Sequence, residues 1–528
     1  MQPLITRRHF LLASCCSTLL AQTPRPASAQ GASGTLRIAV ETETSSLDPH
    51  FALVGANQAI AMHIFDPLVD SDAQMRPEAG LTRFSNPQPD VWEFRIRDGA
   101  VFSDGTPVTA EALRFSLGRM PHVPNSPAPF VRMQAAVAGM EVVDDRTLRL
   151  RSHGPDLSLL LNGMTSYIVK PVEASTADFN AVRAAIGSGP WTVTAWQPGS
   201  ALALARNERF WGPKPAFDAA TIRPIASDAA RVAALLSGDV DLIDRVPQSD
   251  VPRLKANKAF ALTVSPSARV IYLALDQSGD TSPFVSGKDG KKLPTNPLRD
   301  VRVRRALSLA INRDAIVDRV LQGGGRPTGQ LAVPGQVGFD PALKPPPFDP
   351  AQAKRLLAEA GYPDGFRLTL HSPNNRYVED AKTVQAVAQF WSRIGIETPV
   401  EVMPANVFFT RAGKREFSAF LIGFGHSSGD AGPGLSQVLQ TYDGNGTGGL
   451  NRGRFSDPAF DAIMERARTT ADSAAREALL RQAQHIGLEQ DVGIVPLHVP
   501  DNVWAHVAGI TYEGGLEEAT LAQRAHRT

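Results

Sequence analysis

At 528 residues the chain is too long for one small core, and its length suggests about three domains. Lys and Arg number 54 against 53 Asp and Glu, for a formal charge of +1, and 43% of residues are hydrophobic. This composition is that of an ordinary globular protein. Neither the balance nor any basic stripe supports nucleic-acid binding.

The N-terminal stretch MQPLITRRHFLLASCCSTLLAQTPRPASAQ reads as an export signal. Arg7-Arg8 forms a charged start, an apolar run extends from Phe10 to Ala21, and Ala27-Ser28-Ala29 supplies an A-x-A site. The run is shorter than the ~20 residues needed to span a bilayer. Thr6-Arg7-Arg8-His9-Phe10-Leu11 is similar to the twin-arginine signal of bacteria, with cleavage expected after Ala29. Both cysteines, Cys15 and Cys16, fall inside it, so the exported chain would hold no disulfide, thiolate nucleophile or cysteine zinc site. Leu12-Ala13-Ser14-Cys15 resembles a lipoprotein box behind a very short apolar run; a free periplasmic protein is the preferred reading.

Beyond the signal the pattern is mixed α/β without repeats. TLRIAVE (35–41) and VWEFRIRDG (91–99) alternate as half-buried strands, the second placing Trp92, Phe94 and Ile96 on one face. WTVTAWQPGSALALAR (191–206) is a hairpin turning at Pro198-Gly199. The loop 278–300 is solvated; its lysines lack the spacing of a phosphate-binding loop. VRVRRALSLAINRDAIV (301–317) carries Val303, Ala306, Leu307, Ala310 and Ile311 at helical spacing. A proline-stiffened connector follows at 333–350. Asp349-Pro350 and Asp457-Pro458 open two helices, the first stopped by Gly361.

One local motif raises a chemical question. Gly425-His426-Ser427-Ser428-Gly429 matches G-x-S-x-G, the turn that exposes the nucleophile of serine hydrolases. An apolar strand (417–424) precedes it as required. The following Gly429–Gly434 stretch is too rich in glycine and proline to begin a helix directly. No HGGG-like segment precedes it, and Asp430 is too close to be a triad acid. An exported hydrolase nucleophilic at Ser427 stays as the alternative reading.

Several segments in a fixed order point elsewhere. FRIRDGAVFSDGTPVTAEALRFSL (94–117) resembles the signature of the family 5 extracellular solute-binding proteins of peptide, nickel and related ABC importers. So do IGSGPWTVTAWQPGSALALARNERFWG (186–212), the helix at 297–327, FDPAQAKRLLAEAGYPDGF (348–366), NRGRFSDPAFDAIMERA (451–467) and IVPLHVPDNVWA (494–505). The resemblance implies an α/β bilobal clamshell with an extra inserted domain. Residues 1–29 would be the signal, 30–64, 187–267 and 497–528 a discontinuous first lobe, 65–186 the insert, and 268–496 the other lobe. It implies a non-enzymatic, monomeric receptor without cofactor or resident metal, handing its solute to a membrane permease with ATPase subunits.

The resemblance also proposes a ligand set. The family's cleft motif W-x-x-D-x-x-D-P falls on Phe424, Ser427 and Asp430; in peptide-binding members its first aspartate pairs with the peptide ammonium. Serine cannot neutralise that charge, which puts ordinary peptides in doubt. His426, Ser427 and Ser428 would offer neutral hydrogen bonds, although a serine-rich turn can equally satisfy its own backbone. His426 could also serve as a single ligand to a chelated metal. Asn375, Arg376 and Tyr377 follow a strand end, where Arg376 could grip a carboxylate or instead pair with Glu379 or Asp380. Thr44 and Ser45 follow the first strand, and Trp504 is either a contact or core.

Overall fold

The architecture depends on two chain passages, 260–275 and Ile494–Val507, each of which runs from one half of the molecule into the other. The computed structural model describes residues 34–127, 131–172, 179–444, 446–470 and 472–528, and the export segment at 1–29 lies outside them. In the first half, strand Thr35–Val40 runs parallel to Ala219–Pro224 on one side and Leu242–Ile243 on the other. Its central position explains why Ala39 is buried as well as Leu36 and Ile38. The hairpin Trp191–Gln197 and Ala201–Arg206 extends the sheet antiparallel, with Gly199 at φ 76° in the turn.

In the second half, Leu370–Pro373 runs parallel to Val400–Met403 and Ala419–Gly425, and the latter is antiparallel to Arg269–Leu275. The long strand Ile494–Val507 unites the halves. Its start pairs with Arg269–Leu275 and its end with Phe260–Pro266, in register from Asp501 to Val507. The chain therefore crosses twice, at Ser267-Ala268 and beside Pro500-Asp501. Ser267 N–H donates to the Pro500 carbonyl at 3.2 Å, tying the crossings together.

A separate four-stranded antiparallel sheet, in the order Thr82–Gln88, Val91–Ile96, Thr147–Ser152, Val137–Asp144, is inserted between the first strand and the hairpin. Trp92, Phe94 and Ile96 face its core with Leu113 and Leu148. Arg119, at the end of helix Ala110–Arg119, is buried and makes two bonds to Asp48 at 2.9 and 2.7 Å, pinning the insert to the first half.

The Asp-Pro helices form as their caps demand: Asp349 accepts from Gln352 N at 2.8 Å and Asp457 from Phe460 N at 2.6 Å. The segment 301–317 is not one helix. It stops at Leu309, and Asn312 caps a second turn by accepting from Ala315 N at 2.9 Å. Ala310 and Ile311 stay buried in the break.

Candidate functional site

Two arginines meet two carboxylates where the halves join, with a third arginine beside them. Arg245 follows Leu242–Ile243 with φ 45°, a left-handed backbone that costs a non-glycine residue on the order of 1 kcal/mol or more. Arg269 opens the strand just past the first crossing. Glu518, in the C-terminal segment, receives Arg269 through two bonds at 2.5 and 2.9 Å and Arg245 Nη2 at 3.2 Å. Arg245 also pairs with Glu41 at 2.8 Å. Burial opposes ionisation of Glu518, yet Arg269 and Arg245 hold its carboxyl well below the usual carboxylate range.

Arg376 is the third cation, and its environment differs. Its loop joins Leu370–Pro373 to helix Asp380–Ser392 and is fixed from beneath: the Asp380 carboxylate accepts from the backbone N–H of Arg376 at 3.0 Å and of Tyr377 at 3.1 Å. Glu379 pairs with Lys382. Neither acid takes the guanidinium, which lies 5.1 Å from the centroid of the Tyr377 ring. Among the described residues no carboxylate is within ion-pairing distance of it. Desolvation lowers its pKa and the charge of Arg269 adds to the effect, while the more distant charge of Glu518 opposes it. A partly desolvated cation with no carboxylate in contact is costly to keep.

Arg245, Arg269, Arg376, Tyr377, Glu518 and Trp504 line an open cleft pocket. Two glycines on the neighbouring strand make room for it. A Cβ on Gly423 would lie 2.9 Å from Tyr377 Cε1, and one on Gly425 2.8 Å from Arg269 Nη2. Trp504 is part of the floor: it is 2% exposed and donates its indole N–H to Thr520 Oγ1 at 3.0 Å.

The GHSSG loop has another role. His426 is buried; its Nε2 lies 2.8 Å from the Leu331 carbonyl and so carries the proton. Ser428 is buried, and its carbonyl accepts from Gln336 Nε2 at 3.0 Å. Asp430 does not face the cleft as the family motif would have it. It is 6% exposed and grips Arg476 through two 2.9 Å bonds. Gly429 sits against the insert: its N–H donates to the Met75 carbonyl, and a Cβ there would be 2.5 Å from the Gln74 carbonyl. Only Ser427 in this loop is exposed, while Phe424 is half-buried with its ring edge-to-face on His426. A helix does start at once, at Gly432–Val438, contrary to the sequence expectation. Pro433 lies in its first turn, where a missing N–H costs nothing, and Asp430 accepts from Gly432 N at 2.7 Å. The elbow chemistry is nonetheless lacking, because His426 and Asp430 are both engaged away from Ser427.

Burial lowers the His426 pKa from 6.5 to about 4. A base whose folded pKa is depressed stabilises the fold fully above the unfolded value and loses that contribution as pH falls from 6.5 towards about 4. His426→Gln should flatten the stability profile in this window by roughly 3 kcal/mol, read from urea midpoints at stepped pH.

The remaining sequence candidates lie outside the pocket. Thr44 is buried and donates to the Ser46 carbonyl at 2.8 Å; Ser45 lies 3.2 Å from Asn57 Oδ1; Asn375 accepts from Ala405 N at 2.9 Å, at the start of helix Ala405–Gly413. Of the predicted residues, the fold brings together Arg376, Tyr377 and Trp504. Arg245, Arg269 and Glu518 had no such reading from sequence, although an arginine opening the apolar strand RVIYLAL was a usable signal for Arg269.

A cleft between two halves joined by paired crossing strands defines a solute-binding protein. The model of the bacterial extracellular solute-binding proteins, family 5 (middle), matches residues 81–446, and the chain belongs to this family, which serves ABC importers. Glutathione-binding protein GsiB of Escherichia coli strain K12 is 27% identical over 488 residues, covering 90% of each chain. Two solved structures share the fold. Helicobacter pylori DppA with the peptide STSA has a TM-score of 0.77 at 23% identity, covering 93% of this chain and 98% of that one. AgaA with agropinic acid, from A. tumefaciens R10, has a TM-score of 0.75 at 23% identity, covering 94% and 99%. These relatives are binding proteins, and the hydrolase alternative finds no support among them.

Proposed function

We propose that this chain is exported by its twin-arginine segment to the periplasm, works there as a monomer, and captures a small polar solute bearing a carboxylate. The lobes close on the solute about the two crossings and present it to an inner-membrane permease with its ATPase subunits. Moving such a molecule from mostly open to mostly closed needs a differential affinity of about 5.5 kcal/mol. The observation that carries the reading is Arg376, a partly desolvated guanidinium with no carboxylate in ion-pairing distance among the described residues, beside an aromatic ring in the cleft pocket. A bidentate bond to a ligand carboxylate would satisfy it. GsiB and AgaA, whose names record glutathione and agropinic acid, make both peptide-like and opine-like solutes reasonable. With Ser427 replacing a carboxylate, the ligand's amino group is substituted or absent.

A thermal-shift screen of matched pairs tests this: N-acylated peptides and opine-type acids, each beside its carboxyl methyl ester. A ligand at 100 times its Kd adds about 2.7 kcal/mol of stability. Free acids should stabilise and their esters should not. Equal stabilisation by esters, or a shift with free-amino dipeptides that survives in Ser427→Ala, would overturn the reading.

A further inference from the structure

Two arginines of the inter-lobe cluster are held by one residue, Glu518, and the third is left without a carboxylate in contact. Arg245 and Arg269 face Glu41 and Glu518, Arg376 lies beside them, and of the other two acids lining the pocket Asp244 pairs with Arg231 at 3.4 Å while Asp501 feels the charge of Arg326. Glu41 pairs with Arg245 alone. Glu518 takes Arg269 bidentately and Arg245 on the same side, so its carboxylate already occupies an anion position inside the pocket that it lines. It comes from an irregular segment held by backbone contacts: Ala268 N–H donates to the Leu516 carbonyl at 2.7 Å, and Asn502 Nδ2 to the Gly515 carbonyl at 3.2 Å. The carboxylate is thus placed by the fold on both sides of the crossing, with Arg269 beyond it and Arg245 before it.

Among the described residues, Glu41 and Glu518 leave Arg376 as the arginine of this cluster with no carboxylate in ion-pairing distance. We propose that Glu518 is a specificity-determining residue that acts as a built-in counter-carboxylate, so that the cleft takes a solute presenting a single anionic group and rejects one presenting a dianionic group to the same arginines. This rests on the reading of the cleft as the solute site. A second ligand anion at the Arg269–Arg245 position would have to displace Glu518 from about 3 Å contacts or sit against it, and like charges that close repel strongly in a partly desolvated site. Removing the Glu518 charge alone would open that position and leave three arginines for one anion.

The test needs no knowledge of the natural ligand, because inorganic sulfate serves as the dianionic probe. Thermal midpoints are measured in sodium sulfate against sodium chloride at equal ionic strength for the wild type, Glu518→Gln and Glu518→Gln with Arg376→Gln. Glu518→Gln should acquire sulfate-specific stabilisation, with apparent affinity at least about tenfold above wild type, and adding Arg376→Gln should remove it. Arg269→Gln with Glu518→Gln removes both ends of the bidentate pair, leaves Arg245 on Glu41, and should behave as wild type. If Glu518→Gln alone does not fold, this balanced variant should fold. No gain with sulfate, a gain independent of Arg376, or failure of Arg269→Gln to rescue folding would overturn the proposal. Failure of the ester screen alone would remove the carboxylate-solute reading and leave the sulfate result standing as a property of the cluster.

Discussion

Replacing Arg376 by methionine should weaken solute binding at least about thirtyfold while leaving the empty protein as stable as before, or slightly more stable. Both effects follow from the same geometry. The guanidinium is partly desolvated, has no carboxylate in ion-pairing distance among the described residues and faces two like charges against the one of Glu518, so the unliganded fold gains little from it. Methionine keeps the packing of the stem on Tyr377. In the complex, losing a buried charge-assisted pair costs about 2–5 kcal/mol, some thirtyfold to several thousandfold in Kd. Calorimetric titration with any stabilising acid from the screen, beside denaturant unfolding of the free protein, reads the two effects separately. A variant that unfolds more easily but binds as before would make Arg376 structural.

Asp430→Ala should have the opposite profile, a large loss of stability with solute affinity retained. The Asp430–Arg476 pair is buried on both sides, at 9% and 7% side-chain exposure, and lies between the loop after strand Ala419–Gly425 and helix Ser473–Gln484. Deleting one partner leaves an uncompensated buried charge, at about 3–5 kcal/mol. Substituting both, as Asp430→Ala with Arg476→Met, should recover much of that loss, since no ion is then stranded. Urea unfolding of the two single variants and the double gives the coupling. Lost binding with undiminished stability in Asp430→Ala would return this carboxylate to the cleft.

The contrast between these residues shows what local sequence conveys. The alternation of Trp92, Phe94 and Ile96, the Asp-Pro caps and the Pro198-Gly199 turn were legible because each is decided by neighbours within a few positions. The break in 301–317 was less so, because Asn312 had to be weighed as a cap against a continuing apolar stripe. Asp430, read as a cleft residue through the family motif, is instead buried with Arg476, a partner 46 positions away. The cluster of Arg245, Arg269, Arg376 and Glu518 is assembled by the two crossings and by a tail segment returning to them. Arg269 and Glu518 are 249 positions apart, and no periodicity relates them.

The turn Asp72 to Arg76 bears on how quickly a solute can leave. It belongs to the insert, yet Met75 is buried in the apolar core of the second half, and its carbonyl holds Gly429. Asp156 of the insert likewise meets Arg468 at 3.0 Å. Any swing that parts the second half from the insert has to withdraw Met75 and break these bonds first. Part of the barrier to release therefore lies in contacts that a solute in the arginine pocket does not make. Residence time and selectivity are then separately adjustable: substitutions around Met75 can change the dwell of every ligand alike, without altering which ones are chosen.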